Sequence, residues 1–275
     1  MCPQPDEPKS SARFNIRLSE GKRIPVHVYG QGDQLLIALH GFDYDGTVFH
    51  AWEAALGDQF TICVPDLPFH GDAGWDEKEF KPHHIVEIIQ QIKAYQQKAR
   101  VILAGHSLGA RILVCSAREL AVIADCFVLL APAGIGSFDR VPPLWMQRVA
   151  EQALEWPRWL EVLVNAGSRL GLVSNFHRRY AEVQLFSAPK RFRLFRTYNS
   201  LRHLRTTSSD RLEYWQQNKV ETLIILAEQD RFVPNHHIRN YFEEVPEVSI
   251  QQVPGNHDLV NKLTATVVRD AVQRQ

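Results

Sequence analysis

Five short runs, at 34–39, 61–64, 101–104, 126–130 and 223–226, are almost wholly apolar, and each is closed by a Gly, Pro or Asp. Such runs are too short to stand as helices. Being apolar on both faces, they suit strands covered above and below in a parallel sheet. Segments with helical spacing lie between them. In 82–96, Ile85, Ile88, Ile89 and Ile92 share one face, and 108–122 reads as a second helix. Strand and helix in alternation mean βαβ crossovers. The predicted fold is therefore α/β, a mostly parallel twisted sheet with helices on both faces.

The flanks complete this pattern. Alternating segments at 13–18 and 24–29 surround Ser19-Glu20-Gly21-Lys22, which reads as a β-hairpin whose turn is carried by Gly21. At the other end come a last strand at 248–253 and a last helix at 259–272, with Asp258 read as its N-cap. One stretch breaks the rhythm. Residues 137–219 contain no clear strand but hold Trp145, Trp156, Trp159 and Trp215. This reads as a helical cap or lid inserted into a core made of 1–136 and 220–275. It carries 14 basic and 7 acidic residues, with an equal acidic excess on the rest of the chain. That charge is either a solvated basic face or a device that draws in an anionic substrate. The tryptophans and phenylalanines are either the cap's own core or the walls of a pocket for an acyl or aromatic group.

Composition narrows the function classes. The 275 residues are 45% hydrophobic and 23% charged, which excludes a disordered, collagen-like or disulfide-scaffold protein. Lys plus Arg and Asp plus Glu both number 31, so no overall field selects nucleic acid or anionic lipid. No segment reaches membrane-spanning length, and residues 1–10 lack the apolar run of a secretory signal. Cys2, Cys63, Cys115 and Cys126 show no CxxC spacing, and three lie in apolar runs. Buried free thiols and a cytoplasmic location are expected.

The chemistry centres on Gly105-His106-Ser107-Leu108-Gly109, where a buried strand runs through G-x-S-x-G straight into a helix. A serine at such a turn sits in strained backbone, and side chains at Gly105 or Gly109 would collide with neighbouring main chain. The helix beyond it aims its N-terminal N–H groups at the place where an oxyanion would form. A serine hydroxyl needs a base, and the base needs an orienting acid. Asp230 lies just beyond the strand at 223–226, and His257 just beyond the strand at 248–253. Glu228 and Asp258 are rivals for the acid. The order Ser107, Asp230, His257 fits the nucleophile-elbow enzymes.

On these residues the chain resembles the α/β-hydrolase superfamily from about Phe14 onward. The resemblance implies that His40-Gly41-Phe42 is the HG turn after the third strand, with the backbone N–H groups of Phe42 and Leu108 as the oxyanion hole. His40 is then structural, holding its loop by hydrogen bonds. Asp66-Leu67-Pro68-Phe69-His70-Gly71 is similar to the family's D-x-P-G-x-G loop, with Phe69 in place of the more common Gly. His106 reads as buried packing. The adjacent pairs His83-His84 and His236-His237 do not easily face one metal, no HExxH spacing occurs, and no phosphate or dinucleotide loop is present, so neither metal nor cofactor is implied.

The expected function is that of a serine hydrolase acting on a small acyl substrate, a carboxylic ester first, through an acyl-enzyme. The same residues also serve thioesterases, amidases, C–C hydrolases and perhydrolases. Outside hydrolysis stand a catalytically idle small-molecule-binding protein and a lyase or cofactor-free oxygenase on the same scaffold. The expected partner is a small-molecule substrate, with no nucleic acid and no membrane.

Overall fold

The computed structural model describes residues 12–135, 187–206, 220–243 and 245–273, with the isolated positions 162, 166–168, 183 and 217. Most of the predicted insertion lies outside the described residues, its four tryptophans included, as do residues 1–10 and Cys2. The chain divides into two compact units. One comprises Met1–Trp75, Pro82–Asp139 and Thr206–Gln275, and the other Asp76–Lys81 and Arg140–Arg205.

In the larger unit the described elements are β1 (Ala12–Arg17), β2 (Arg23–Tyr29), β3 (Gln34–Leu39), a 3-10 turn (Gly46–Trp52) leading into α1 (Glu53–Leu56), and β4 (Phe60–Pro65). They continue through α2 (Pro82–Gln96), β5 (Val101–His106), α3 (Leu108–Cys115), α4 (Ala117–Leu120) and β6 (Cys126–Leu130). Helix α5 (Ala188–Ser200) belongs to the smaller unit. The larger unit then resumes with β7 (Glu221–Ala227), α6 (Asn235–Phe242), β8 (Val248–Val253) and α7 (Lys262–Val272).

The strands form one sheet in the order β1-β2-β4-β3-β5-β6-β7-β8, with β1 and β2 antiparallel to their neighbours and β3 to β8 parallel. Every residue of β4, β5 and β6 is buried, as both-face coverage requires. The edge strands differ: β1 carries exposed Arg13 and Arg17, and β8 exposes Gln251 and Gln252. Charged and polar edges discourage pairing with another chain. The hairpin turn forms as expected, with Gly21 at φ 82° in the left-handed region and Leu18 N–H donating to Lys22 O at 2.9 Å.

Helix α2 has its predicted bounds, and its four isoleucines are fully buried. Two boundaries differ from expectation. The 108–122 helix is broken at Ser116, whose φ of −106° and ψ of 11° leave the helical region and separate α3 from α4. The last helix starts at Lys262, and its N-cap is Asn261, which exchanges bonds with Thr264 in a capping box. Asp258 is therefore not the cap.

Cys63, Cys115 and Cys126 are buried free thiols, and burial pushes those of Cys63 and Cys126 up to about 12. In the smaller unit, Phe80 N–H donates to Ser200 Oγ at 2.9 Å, and Glu79 bonds Arg202 and His203. Among the described residues no helix is long and apolar enough to cross a membrane.

Candidate active site

Ser107 leaves the C-terminal end of β5 with φ 50° and ψ −107°, outside the regions open to an ordinary side chain. Such backbone costs about 1–3 kcal/mol and persists only where its surroundings dictate it. Three bonds do so: Ser107 N–H donates to Leu130 O at 2.9 Å, while Ser107 O accepts from Arg111 N at 3.0 Å and Ala133 N at 3.2 Å. The glycines on either side are obligatory. A Cβ on Gly105 would lie 2.6 Å from Ala110 N, and one on Gly109 would lie 2.1 Å from Leu39 O.

The loops after β7 and β8 bring the predicted acid and base to this serine. His257 Nε2 lies 2.9 Å from Ser107 Oγ, and His257 Nδ1 lies 2.7 Å from Asp230 Oδ2. The other carboxylate oxygen, Oδ1, accepts from Phe232 N at 2.8 Å and Val233 N at 2.9 Å. Asp230 has a fully buried side chain. Burial by itself raises its pKa, but the bonds from His257 and the two backbone N–H groups outweigh it and hold the carboxyl below the ordinary value. An ionised Asp230 accepts the Nδ1 proton, which leaves the Nε2 lone pair facing the serine hydroxyl. Of the three candidate acids, Asp230 is the one that reaches His257. Glu228 is exposed, and Asp258 Oδ1 instead accepts from Tyr44 Oη at 2.6 Å.

The residues around this line are held as firmly. Leu108 opens α3, and Phe42 lies just past the end of β3. Among the described residues, neither backbone N–H donates to a backbone carbonyl of a turn or loop. His40 is fully buried, donates from Nδ1 to Gly41 O at 2.8 Å and accepts at Nε2 from Leu67 N at 3.0 Å. It joins the Phe42 loop to the loop after β4. In that second loop Asp66 accepts from Gly46 N and Asp72 N, each at 2.9 Å, and from His27 Nε2 at 3.2 Å. Burial opposes ionisation of Asp66, yet His27 and the backbone donors bring its pKa to about 2. Phe69 stands at φ 70° and Gly71 at φ 53°, so the loop keeps a left-handed turn although Phe69 replaces a glycine.

Several histidines depart from expectation. His106 is more than packing: its Nε2 donates to His257 O at 2.8 Å. His83 and His84 do converge, because their ring centroids lie 4.0 Å apart and one ligand atom of each lies within 4.8 Å of the other and of Glu20. His84 and Glu20 also make an ion-pair contact at 3.6 Å. Two aromatic neighbours of the site had no signal in the sequence. Phe232, 55% exposed, has its ring 5.4 Å from that of His257, and Tyr44 touches the residue after the histidine. Both depend on contacts between distant loops.

A buried parallel sheet, a strained serine elbow at one strand end and loops that bring a histidine and a carboxylate to it define a hydrolase scaffold. The model of the Alpha/beta hydrolase family matches residues 36–267, and the chain belongs to that family. The uncharacterized hydrolase YugF of Bacillus subtilis is 25% identical over 223 residues, covering 76% of this chain and 77% of that protein. An uncharacterized protein of Mycobacterium bovis is 24% identical over 122 residues, so the match spans 44% of this chain and only 36% of that relative. Among solved structures, a thermophilic esterase from Thermogutta terrifontis superposes with a TM-score of 0.69 at 16% identity, covering 96% of this chain and 99% of the esterase, a likeness of fold.

Proposed function

We propose that this protein is a serine hydrolase that cleaves a small acyl substrate, a carboxylic ester in the first place, through an acyl-enzyme. The observation that carries the reading is the unbroken hydrogen-bonded line from Ser107 Oγ through the His257 ring to Asp230, set on a strained elbow. Ser107 Oγ attacks the carbonyl carbon while His257 Nε2 takes its proton, and the carbonyl electron pair moves onto oxygen. The N–H groups of Phe42 and Leu108 receive that oxyanion; each such donor is worth about 100- to 1000-fold in turnover. Collapse expels the alcohol, protonated by His257. A water deprotonated by the same nitrogen then attacks the acyl-serine, and collapse of this second tetrahedral intermediate releases the carboxylic acid as His257 returns the proton to Ser107 Oγ. Asp230 stays ionised throughout, orienting the ring and stabilising its positive charge. Phe232 offers an apolar surface beside the base, which suits a hydrophobic substituent.

Ester is placed first among acyl compounds because its cleavage is the least demanding reaction such a triad performs. The test is steady-state hydrolysis of p-nitrophenyl esters of rising acyl length by the parent, Ser107→Ala and His257→Ala. Turnover in the parent and background rates in both variants are expected, and the chain-length optimum sizes the pocket. Thioester and amide analogues in the same assay rank the leaving groups. Full activity in folded Ser107→Ala would overturn the mechanism.

A further inference from the structure

The general base sits on a loop whose one backbone bond to a neighbouring strand's loop is Gln229 N–H donating to Gly255 O at 2.9 Å, among the described residues. Its other bonds are local, from Asp258 N–H to Asn256 Oδ1 at 3.0 Å, Leu259 N–H to His257 O at 2.9 Å and Asn261 Nδ2 to Asp258 O at 3.1 Å, and Gly255 stands at φ 127° with open space around its Cβ position. The ring of His257 must nevertheless meet two partners at once. A shift on the order of 1 Å in such a group costs about 100-fold in rate.

Two side chains from elsewhere in the fold, one at the end of β5 and one in the loop after β3, close on this segment. His106, the residue before the nucleophile, donates its Nε2 proton to the carbonyl oxygen of His257 at 2.8 Å, and the same oxygen accepts from Leu259 N at 2.9 Å. On the next residue, Asp258 Oδ1 accepts from Tyr44 Oη at 2.6 Å. The rings of Tyr44 and His106 also meet, with centroids 6.1 Å apart. We infer that His106 and Tyr44 are positioning residues that fix the general base relative to the nucleophile, His106 by holding the His257 carbonyl and Tyr44 by holding the side chain of the next residue, Asp258. This rests on the serine-hydrolase reading.

The surroundings of His106 suit that task. The ring is 1% exposed, and its Nδ1 is buried without a partner among the described residues, so the single proton belongs on Nε2, where the carbonyl needs it. Burial drives its pKa down to about 4, so the ring remains neutral near pH 7. Gly41 lies against the bare nitrogen: a Cβ there would come within 2.8 Å of His106 Nδ1. The HG turn therefore needs its glycine partly to leave room for this ring. One imidazole thus touches the loop that carries Phe42, directly precedes Ser107 and holds the loop that carries His257. An apolar residue at 106 would fill the same space but leave the His257 carbonyl with one donor fewer.

The experiment compares the parent with His106→Leu, which removes the donor, His106→Gln, which restores an N–H, and Tyr44→Phe, which removes a hydroxyl from a 36%-exposed ring. Readouts are kcat and KM on the best p-nitrophenyl ester, circular dichroism, and the downfield proton resonance of His257 Nδ1–H. A kcat about 100-fold lower in His106→Leu, KM nearly unchanged, partial recovery in His106→Gln, and a shifted or exchange-broadened resonance in both Leu and Phe variants support the inference. A folded His106→Leu with parental kcat and resonance overturns it, as does equal loss in Leu and Gln. If His106→Leu fails to fold, Tyr44→Phe decides: a parental kcat and resonance there also overturn it. A parent that never turns over esters defeats the hydrolase reading instead, and the resonance still tests the clamp.

Discussion

Replacing Asp230 with Asn keeps the side chain's size and removes its charge, and the hydrogen bonds around it then decide which nitrogen of His257 carries the proton. Oδ1 accepts two backbone N–H groups, from Phe232 and Val233, while Oδ2 accepts from His257 Nδ1. An asparagine satisfies the backbone pair only by turning its oxygen toward them and its amide NH2 toward His257. The histidine then has to accept at Nδ1, which moves its proton to Nε2, the nitrogen that faces Ser107 Oγ at 2.9 Å. A protonated Nε2 cannot take the serine proton. The opposite amide orientation sets NH2 against two donors and forfeits both bonds. The expected loss is on the order of 10⁴-fold in kcat, the cost of the same change in a serine-protease triad, or about 5 kcal/mol in barrier height. Ester hydrolysis with purified Asp230→Asn, alongside its melting temperature, measures this. A folded variant that keeps more than about a tenth of parental kcat would refute the tautomer argument and return Glu228 or Asp258 to consideration as the acid.

Two other outcomes concern the scaffold of the site. Asp66 has a folded pKa of about 2 against an ordinary 3.8, so as pH falls from about 4 to 2 the unfolded chain takes up a proton that the folded one refuses. Stability present above that window is lost through it, by about 2 kcal/mol; urea unfolding across the range should show a steeper dependence in the parent than in Asp66→Asn, which keeps the contributions of the other lowered carboxylates such as Asp230, and identical slopes would contradict it. Gly109→Ala drives a Cβ to 2.1 Å from Leu39 O and 2.6 Å from Leu39 C, both backbone atoms, and should destabilise by about 3 kcal/mol or more. A loss under about 1 kcal/mol in urea unfolding would show that the elbow can open.

The parts legible from sequence are those fixed by local pattern. The central strands could be read because a strand buried on both faces becomes an uninterrupted apolar run, as in Val101-Ile-Leu-Ala104, which is wholly buried. Ser107 and Asp230 could be placed because each lies just past such a run, and His257 because it follows the last strand of the pattern, Val248–Val253. Ser116 ends α3 inside a sequence that otherwise reads as helix, and nothing local marks the break. Helix α6 buries only Ile238 and Phe242, too sparse a stripe to stand out in Asn-His-His-Ile-Arg-Asn-Tyr-Phe. Asp258 resembled an N-cap, yet its carboxylate meets Tyr44, 214 positions away along the chain. Contacts of that kind, and the bond from His106 to the His257 carbonyl, arise only when loops from different strands meet at one sheet edge.

The central claim is that Ser107 is a nucleophile made reactive by His257. Its most direct test is fluorophosphonate labelling and peptide mapping of the modified residue, in the parent, Ser107→Ala and His257→Ala. The account predicts a single adduct on Ser107 in the parent, none on Ser107→Ala and strongly slowed labelling of His257→Ala. A folded parent that does not label, or that labels at a residue other than Ser107, would contradict it.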